Sequence, residues 1–406
     1  MRMALFTDTL GDVNGVARFV GAIAADAQRA GAELLVVTST RRTVPSQTNI
    51  LNVPARAAAR LPKYPELEIV WPRRAEMLRR VAEFQPDVVH VSTPGPVGVA
   101  GRRIARRLGA ALVGTYHTDF PAYVGRLTGS GLLGRGAGAA MKWFYAPFDR
   151  VLVRSASYLD RVAEVGIARD RAAVLQAGVD LGLFSAARRT RTAADELVRF
   201  IYVGRVSEEK GTGLLAEAWR AAQTRLDAAG ITAELVIVGD GPARQKLERE
   251  LTGTRSRLLG YRFGDELARQ YADGDIFVFP SATDTLGQVV MEAQASGLPA
   301  LVTDRGGPQE LIRNSETGIV LPASDEQAWA GAMIGLAQDF PRRQSMGRAA
   351  AAHMADRSFT GSVESFWALN AEVVRARNAA LGRTTGWSIT SRPPVPTGAA
   401  GAVPGA

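Results

Sequence analysis

Residues 277–311 read FVFPSATDTLGQVVMEAQASGLPALVTDRGGPQEL. Ile276 to Phe279 is a short apolar run rich in β-formers and ended by Pro280, which predicts a buried parallel strand. Ser281 to Thr285 is a polar turn. Leu286 to Ser296 then has helical spacing, with Val289, Val290, Ala293 and Ala295 on the inner side, and Gly297 and Pro299 stop it. A second strand, Ala300 to Thr303, follows at once, so the stretch is a βαβ unit. Asp284 stands in the turn and Glu292 two turns into the helix. A helix N-terminus behind a buried strand offers free N–H groups and positive dipole to a phosphate, and Gly287 lets a ligand approach the backbone. Two acids so placed could hold hydroxyls on either side of that phosphate. Spacing alone leaves a plainer reading equally open, with Asp284 as a helix cap and Glu292 as a solvated helix residue.

Working outward, 406 residues predict two domains, each with its own core. With 46% hydrophobic and 22% charged residues, the composition is that of an ordinary globular protein. The absence of cysteine rules out disulfides and thiolate metal sites. No apolar run reaches the roughly 18 residues of a membrane-spanning helix, and MRMALFTDTL enters a strand without a signal peptide's apolar segment. The expected location is cytoplasmic, with peripheral contact to the inner membrane face open. A net charge of +9 favours an anionic partner. No aromatic–basic nucleic-acid module accompanies it, so nucleic acid is not expected. An anionic membrane surface or an anionic small molecule fits better.

The first half alternates strands at 3–7, 33–38, 88–91, 111–115 and 151–154 with helices at 16–30, 72–84 and 96–108. This predicts a doubly wound parallel α/β sheet. The loop from Asp8 to Gly15, which includes Asn14, joins the first strand to the first helix, a suitable place for phosphate. It lacks the G-x-G-x-x-G of dinucleotide folds. His117 follows the fourth strand in GTYHTDF, at the strand ends where such sheets bind ligands, although a lone histidine is from position alone more often structural. Phe120 to Phe148 mixes Tyr123, Leu127, Leu132, Leu133, Trp143 and Phe144 with Arg126, Arg135 and Lys142. It reads either as a surface for an anionic bilayer or as a core helix behind a loop. Residues 182–196 are polar, basic and aperiodic, and read as a linker. The second domain opens with a strand at 200–203 and then Gly204-Arg205-Val206-Ser207-Glu208-Glu209-Lys210-Gly211. A guanidinium and an ammonium facing one site suit a pyrophosphate, but the pair alone is better read as a surface arginine with Lys210 paired to Glu208 or Glu209. Gly239-Asp240-Gly241 ends the next strand, and Arg262-Phe263 the loop after that. Asp273-Gly274-Asp275 reads as turn chemistry rather than a metal motif, and residues 382–406 as a disordered tail.

These motifs together resemble glycosyltransferase family 4, whose fold is GT-B: two Rossmann-like domains facing across a cleft. The likeness covers most of residues 1–380. The family's acid, seven residues, then Glu matches Asp284 and Glu292, although the family's first acid is usually Glu. The resemblance implies that Asp284 touches the donor sugar and Glu292 the ribose. Arg205 and Lys210 match the phosphate-binding pair, and His117 the histidine near the reacting sugar carbon. Asn14, Gly15, Gly204, Gly239, Arg262, Phe263, Leu286, Gly287 and Gln288 fall at its other donor-binding positions. It also implies a nucleotide-sugar donor, retention of configuration and no metal or other cofactor. The segments TDTL…VNGV and HTDF…YVGRLTG…WFY are similar to members that transfer mannose or act on lipids, which points to GDP-mannose (UDP-sugar being the alternative) and a lipid-linked or glycan acceptor. The expected domains are 1–184 on the acceptor side and 197–358 on the donor side, with a helix at 359–380 crossing back to the first. Two other classes stay open: a GT-B nucleotide-sugar epimerase, and a non-catalytic binder of sugar nucleotides or anionic surfaces.

Overall fold

The computed structural model describes residues 1–383 except 13, 62–63, 122–123, 125–129 and 193–195. Val13, Tyr123, Arg126, Leu127 and the tail from 384 therefore lie outside the described residues. The chain divides into two compact units, Met1–Gln176 with the residues from Val363, and Ala177–Ser362.

In the first unit, β1 (Met3–Phe6), β2 (Leu34–Thr38), β3 (Ile50–Asn52), β6 (Val88–Val91), β7 (Ala111–Tyr116), β8 (Arg150–Val153) and β9 (Ala172–Val174) form one parallel sheet in the order β3-β2-β1-β6-β7-β8-β9. Met3 is in register with Leu34 on one side and Val88 on the other. Flanked on both edges, β1 is fully buried, which is why its sequence is an unbroken apolar run. Strand order reverses beside β1. The helices α1 (Gly15–Arg29), α2 (Arg74–Phe84), α3 (Pro96–Leu108), α4 (Gly131–Tyr145) and α5 (Tyr158–Glu164) connect the strands. Asp8, directly after β1, fixes α3: its carboxylate accepts from Val97 N (2.7 Å), Gly98 N (3.2 Å) and the Thr93 hydroxyl (2.7 Å). Burial pushes its carboxyl up, against the pull of those bonds. An antiparallel hairpin, β4 (Ala55–Leu61) with β5 (Tyr64–Pro72), precedes α2. Neither this hairpin nor β3 is expected from the sequence, and the helix expected from residue 72 begins at Arg74, after β5.

The second unit holds β10 (Val198–Val203), β11 (Ala233–Val238), β12 (Ser256–Leu258), β13 (Ile276–Phe279), β14 (Ala300–Thr303) and β15 (Gly318–Leu321), all parallel, in the order β12-β11-β10-β13-β14-β15. The helices are α6 (Thr212–Ala228), α7 (Arg244–Glu250), α8 (Gly264–Ala272), α9 (Gln288–Ala295), α10 (Glu326–Gln338) and α11 (Phe340–Met354). Here too the order reverses, beside β10, so both units are doubly wound α/β sheets as expected. Residues 189–191, in the stretch expected to be a linker, are anchored. Arg189 and Arg191 pair with Asp275 at 2.6 and 2.8 Å, and Asp273 accepts from Thr190 and Arg191. The arginines and the turn acids hold this segment on the second unit.

The last helix, α12 (Phe359–Ala380), begins in the second unit and from Val363 belongs to the first. There a buried network ties it to the sheet. Asn370 Nδ2 donates to Phe366 O at 2.7 Å, leaving its Oδ1 to accept from His90 Nδ1 at 2.9 Å. His90 Nε2 then accepts from the Thr115 hydroxyl at 2.9 Å. Burial pushes the imidazole down to about 4 from 6.5, partly opposed by Asn370. The folded state therefore binds fewer protons than the unfolded chain between those values. Stability is fully present above pH 6.5 and falls as pH drops towards 4, by about 3 kcal/mol from this group alone. Urea midpoints at pH 7.5, 5.5 and 4.5 should show the fall, and His90→Gln should flatten it. An unchanged acid loss in the variant would remove His90 from the explanation.

Candidate active site

The site in the second unit is assembled from the carboxyl ends of β10, β11 and β13. Asp284 does not cap α9. The cap is Gly287, which makes no side-chain cap hydrogen bond and stands at φ 83°, in the left-handed region. A Cβ there would lie 2.9 Å from Pro308 Cγ, so glycine is required by both conformation and space. The Asp284 carboxylate instead receives Lys210 Nζ at 2.8 and 2.9 Å, and the Ser281 hydroxyl at 2.5 Å. Its carbonyl accepts from Gly307 N at 2.8 Å. Ser281 and Tyr202 are fully buried beneath it. Tyr202 donates to the Arg205 carbonyl at 2.8 Å and so fixes the backbone that carries Arg205. Burial, then the nearby charges of Asp284 and Glu209, hold the Tyr202 phenol well above its usual range, so it remains a donor. Thr283 donates to the Glu209 carbonyl at 3.2 Å, joining the two loops.

Lys210 and Asp284 thus form a half-buried ion pair, and Arg205, also half-buried, is tied to the end of β10 through its carbonyl on Tyr202. Lys210 Nζ reaches both oxygens of the Asp284 carboxylate, and an ammonium carries three donors. The first turn of α9 follows Leu286 and Gly287, with Gln288 Nε2 held on the Gly178 carbonyl at 3.0 Å. Gly204 and Gly239 end adjacent strands so closely that a Cβ on Gly239 would sit 1.9 Å from Gly204 O.

Glu292 is not the solvated residue of the plainer reading. It is fully buried, and Tyr271 donates to its Oε2 at 2.9 Å. In the loop after β12, Tyr261 and Phe263 are exposed and stack at 6.1 Å, with Arg262 donating to the Tyr261 carbonyl at 2.8 Å. Ser281, Tyr202 and Tyr271 went unnoticed in the sequence. For Ser281 the signal was present: a hydroxyl three residues before the acid, in the same strand-end turn.

The remaining predicted residues lie in the first unit. Asn14 caps α1, its Oδ1 accepting from Ala17 N at 2.8 Å, and Gly15 is the helix's first, exposed residue. His117 is half-buried one residue after β7, its ring 6.2 Å from Phe19. Burial, then the charges of Arg154 and His90, hold its imidazole well below the usual range, so it is neutral at pH 7. Helix α4 buries Phe144 and Tyr145 and exposes Leu132, Leu133 and Trp143, with Arg135 and Lys142 also at the surface. Arg102 lies over the Trp143 ring at 3.8 Å. Among the described residues no helix is long and apolar enough to cross a membrane.

Residues 13–183 match the family described as Glycosyltransferase Family 4, and residues 198–339 that described as Glycosyl transferases group 1. The chain is 33% identical to a GDP-mannose-dependent alpha-mannosyltransferase of Mycobacterium tuberculosis, over 80% of this chain and 85% of that protein. It is 30% identical to a sulfoquinovosyl transferase of Arabidopsis thaliana over 79% of this chain, and there it spans 63% of the plant protein's length. Its fold is shared with HepE of Anabaena, solved with UDP and glucose, at a TM-score of 0.71 and 16% identity, covering 91% of this chain and 99% of that one.

Proposed function

Because the chain belongs to glycosyltransferase family 4, with the GT-B fold, we propose that this glycosyltransferase moves mannose from GDP-mannose to a lipid-linked or glycan acceptor with retention of configuration. The observation that carries the reading is the Lys210–Asp284 pair, which joins the strand-end loops after β10 and β13 just before α9. When the sugar leaves, negative charge collects on the diphosphate. In this reading Arg205, Lys210 and the N–H groups at Leu286 and Gly287 meet the charge as it develops. They supply the countercharge, so no metal is required. Asp284, held by Lys210 and Ser281, orients the sugar. Glu292 stands at the family's ribose position, where its burial and the bond from Tyr271 require α9 to shift before it meets the ribose, and the Tyr261–Phe263 loop packs against the base. The acceptor approaches from the leaving-group face. GDP-mannose is favoured by the mannosyltransferase relatives, and a UDP-sugar by the HepE likeness.

Asp284→Asn tests these roles. The base and phosphates are held elsewhere, so GDP affinity should change less than threefold while turnover falls at least tenfold. A collapse of GDP affinity with turnover per bound donor preserved would reverse the assignments of Asp284 and Glu292.

For a lipid-linked acceptor, α4 is the surface that would meet the bilayer. Basic residues near an anionic surface add about 1 kcal/mol each, and exposed charges are screened over about 10 Å at 0.1 M salt. Sedimentation with vesicles should therefore require anionic lipid, weaken with salt, and fall in the Arg135→Ala/Lys142→Ala double variant. Equal sedimentation with neutral and anionic vesicles, or none with either, favours a soluble acceptor.

A further inference from the structure

Arg154 is the first residue after β8, at the carboxyl edge of the first unit's parallel sheet. It is 6% exposed. Its Nη1 is buried without a hydrogen-bond partner, and among the described residues no carboxylate pairs with it. The Phe19 ring lies 4.6 Å from its Cζ, and Phe19 in turn packs against the rings of His117 and Phe366. Burial alone pushes the guanidinium down to about 10, and its charge helps to keep His117 neutral. A cation removed from water without a counterion destabilises a fold, and a face-on aromatic ring compensates only in part. Nothing in the packing of β8 calls for an arginine there. Carboxyl ends of parallel strands are where doubly wound sheets place their ligands, and a guanidinium offers a fork matched to phosphate or carboxylate oxygens.

We propose that Arg154 is the anion-recognising residue of the acceptor site in the first unit, and that the acceptor carries a phosphate or carboxylate group which pairs with its guanidinium, through the unsatisfied Nη1, beside His117. This rests on the reading of the chain as a glycosyltransferase whose first unit takes the acceptor. Arg154 then sets acceptor class and takes no part in holding the donor.

The test uses the full chain in a phosphate-free buffer with saturating GDP or UDP, so that Arg205 and Lys210 are occupied. Thermal midpoints are followed with glycerol 1-phosphate, dihexanoylphosphatidic acid, glucuronate and the neutral controls glycerol and glucose. The phosphate pair separates a free from a lipid-borne group, and glucuronate tests a carboxylate. Expected is a saturable rise with at least one anion and none with the neutral controls, weakened at least tenfold in Arg154→Met. The same substitution should raise the midpoint without ligand, because it removes an uncompensated buried charge. Arg154→Gln, neutral but still polar, guards against a misfolded variant and should show the same loss. Nucleotide binding should be unchanged in both. The proposal is overturned if no anion raises the wild-type midpoint, or if both variants respond as wild type does. Failure of the wild type to bind either nucleotide would instead overturn the glycosyltransferase reading beneath it.

Discussion

Lys210→Ala should lower turnover by about 10²–10³-fold, the scale for losing one oriented donor at developing charge. The thermal midpoint should hardly move. The Lys210–Asp284 pair is about one-fifth exposed on each side, and pairs open to solvent contribute roughly 0–1 kcal/mol. The separation of the two readouts distinguishes a catalytic lysine from one that merely neutralises Asp284. A structural lysine would lose midpoint and turnover together, in proportion to the unfolded fraction. Lys210→Arg keeps charge and reach but changes the donor geometry, and should recover part of the rate. Release of GDP in a coupled assay measures both variants. Near-wild-type rates in Lys210→Ala would remove the residue from the chemistry.

Gly239→Ala should destabilise the second unit by roughly 2–6 kcal/mol, the sum of backbone strain and overpacking. Gly239 holds φ 142°, and a Cβ there would meet Gly204 O at 1.9 Å. Relief requires β10 and β11 to part where Val206 N reaches Asp240 O at 3.0 Å and Gly239 N reaches Gly260 O at 2.9 Å. The loops bearing Arg205 and Arg262 would move together. Against a typical total of 5–15 kcal/mol, much of the variant should be unfolded near body temperature. Gly213 is the control. It lies in α6 with ordinary backbone and open space around its Cα, so Gly213→Ala should stabilise by about 0.5–1 kcal/mol. Chemical denaturation monitored by tryptophan fluorescence compares them. Equal midpoints for Gly239→Ala and wild type would show that the strand ends are not close-packed as described.

The βαβ stretch at 277–311 was legible because strand, turn and helix each carry a local signature there. The parallel sheets followed from alternation of the same kind. The hairpin at 55–72 was not legible. Alanine and arginine dominate Ala55–Leu61 without strict alternation, so nothing separates it from coil until β5 pairs with it. Contacts between distant residues were equally hidden. Arg189 and Arg191 meet Asp275 more than 80 positions away, and a segment that reads as linker is therefore anchored. Asp284, Arg205 and Lys210 could be named because their motifs fix their spacing, but the direct bond between Lys210 and Asp284 depends on how two loops pack. The cap that the Asn14 side-chain oxygen makes on α1 is local, three residues along the chain. The burial of Arg154 cannot be read from its neighbours, since an arginine after a strand is ordinarily at the surface.

The most direct measurement is calorimetric titration of the wild type, Arg205→Ala and Lys210→Ala with GDP-mannose, GDP, UDP-glucose and UDP. The wild type should bind one nucleotide series saturably, GDP with mannose first. Each variant should lose roughly 10–150-fold in affinity for it, the equivalent of one hydrogen bond to a charged group. Failure of the wild type to bind any of the four, or unchanged affinity in both variants, would contradict a donor site built on Arg205, Lys210 and Asp284.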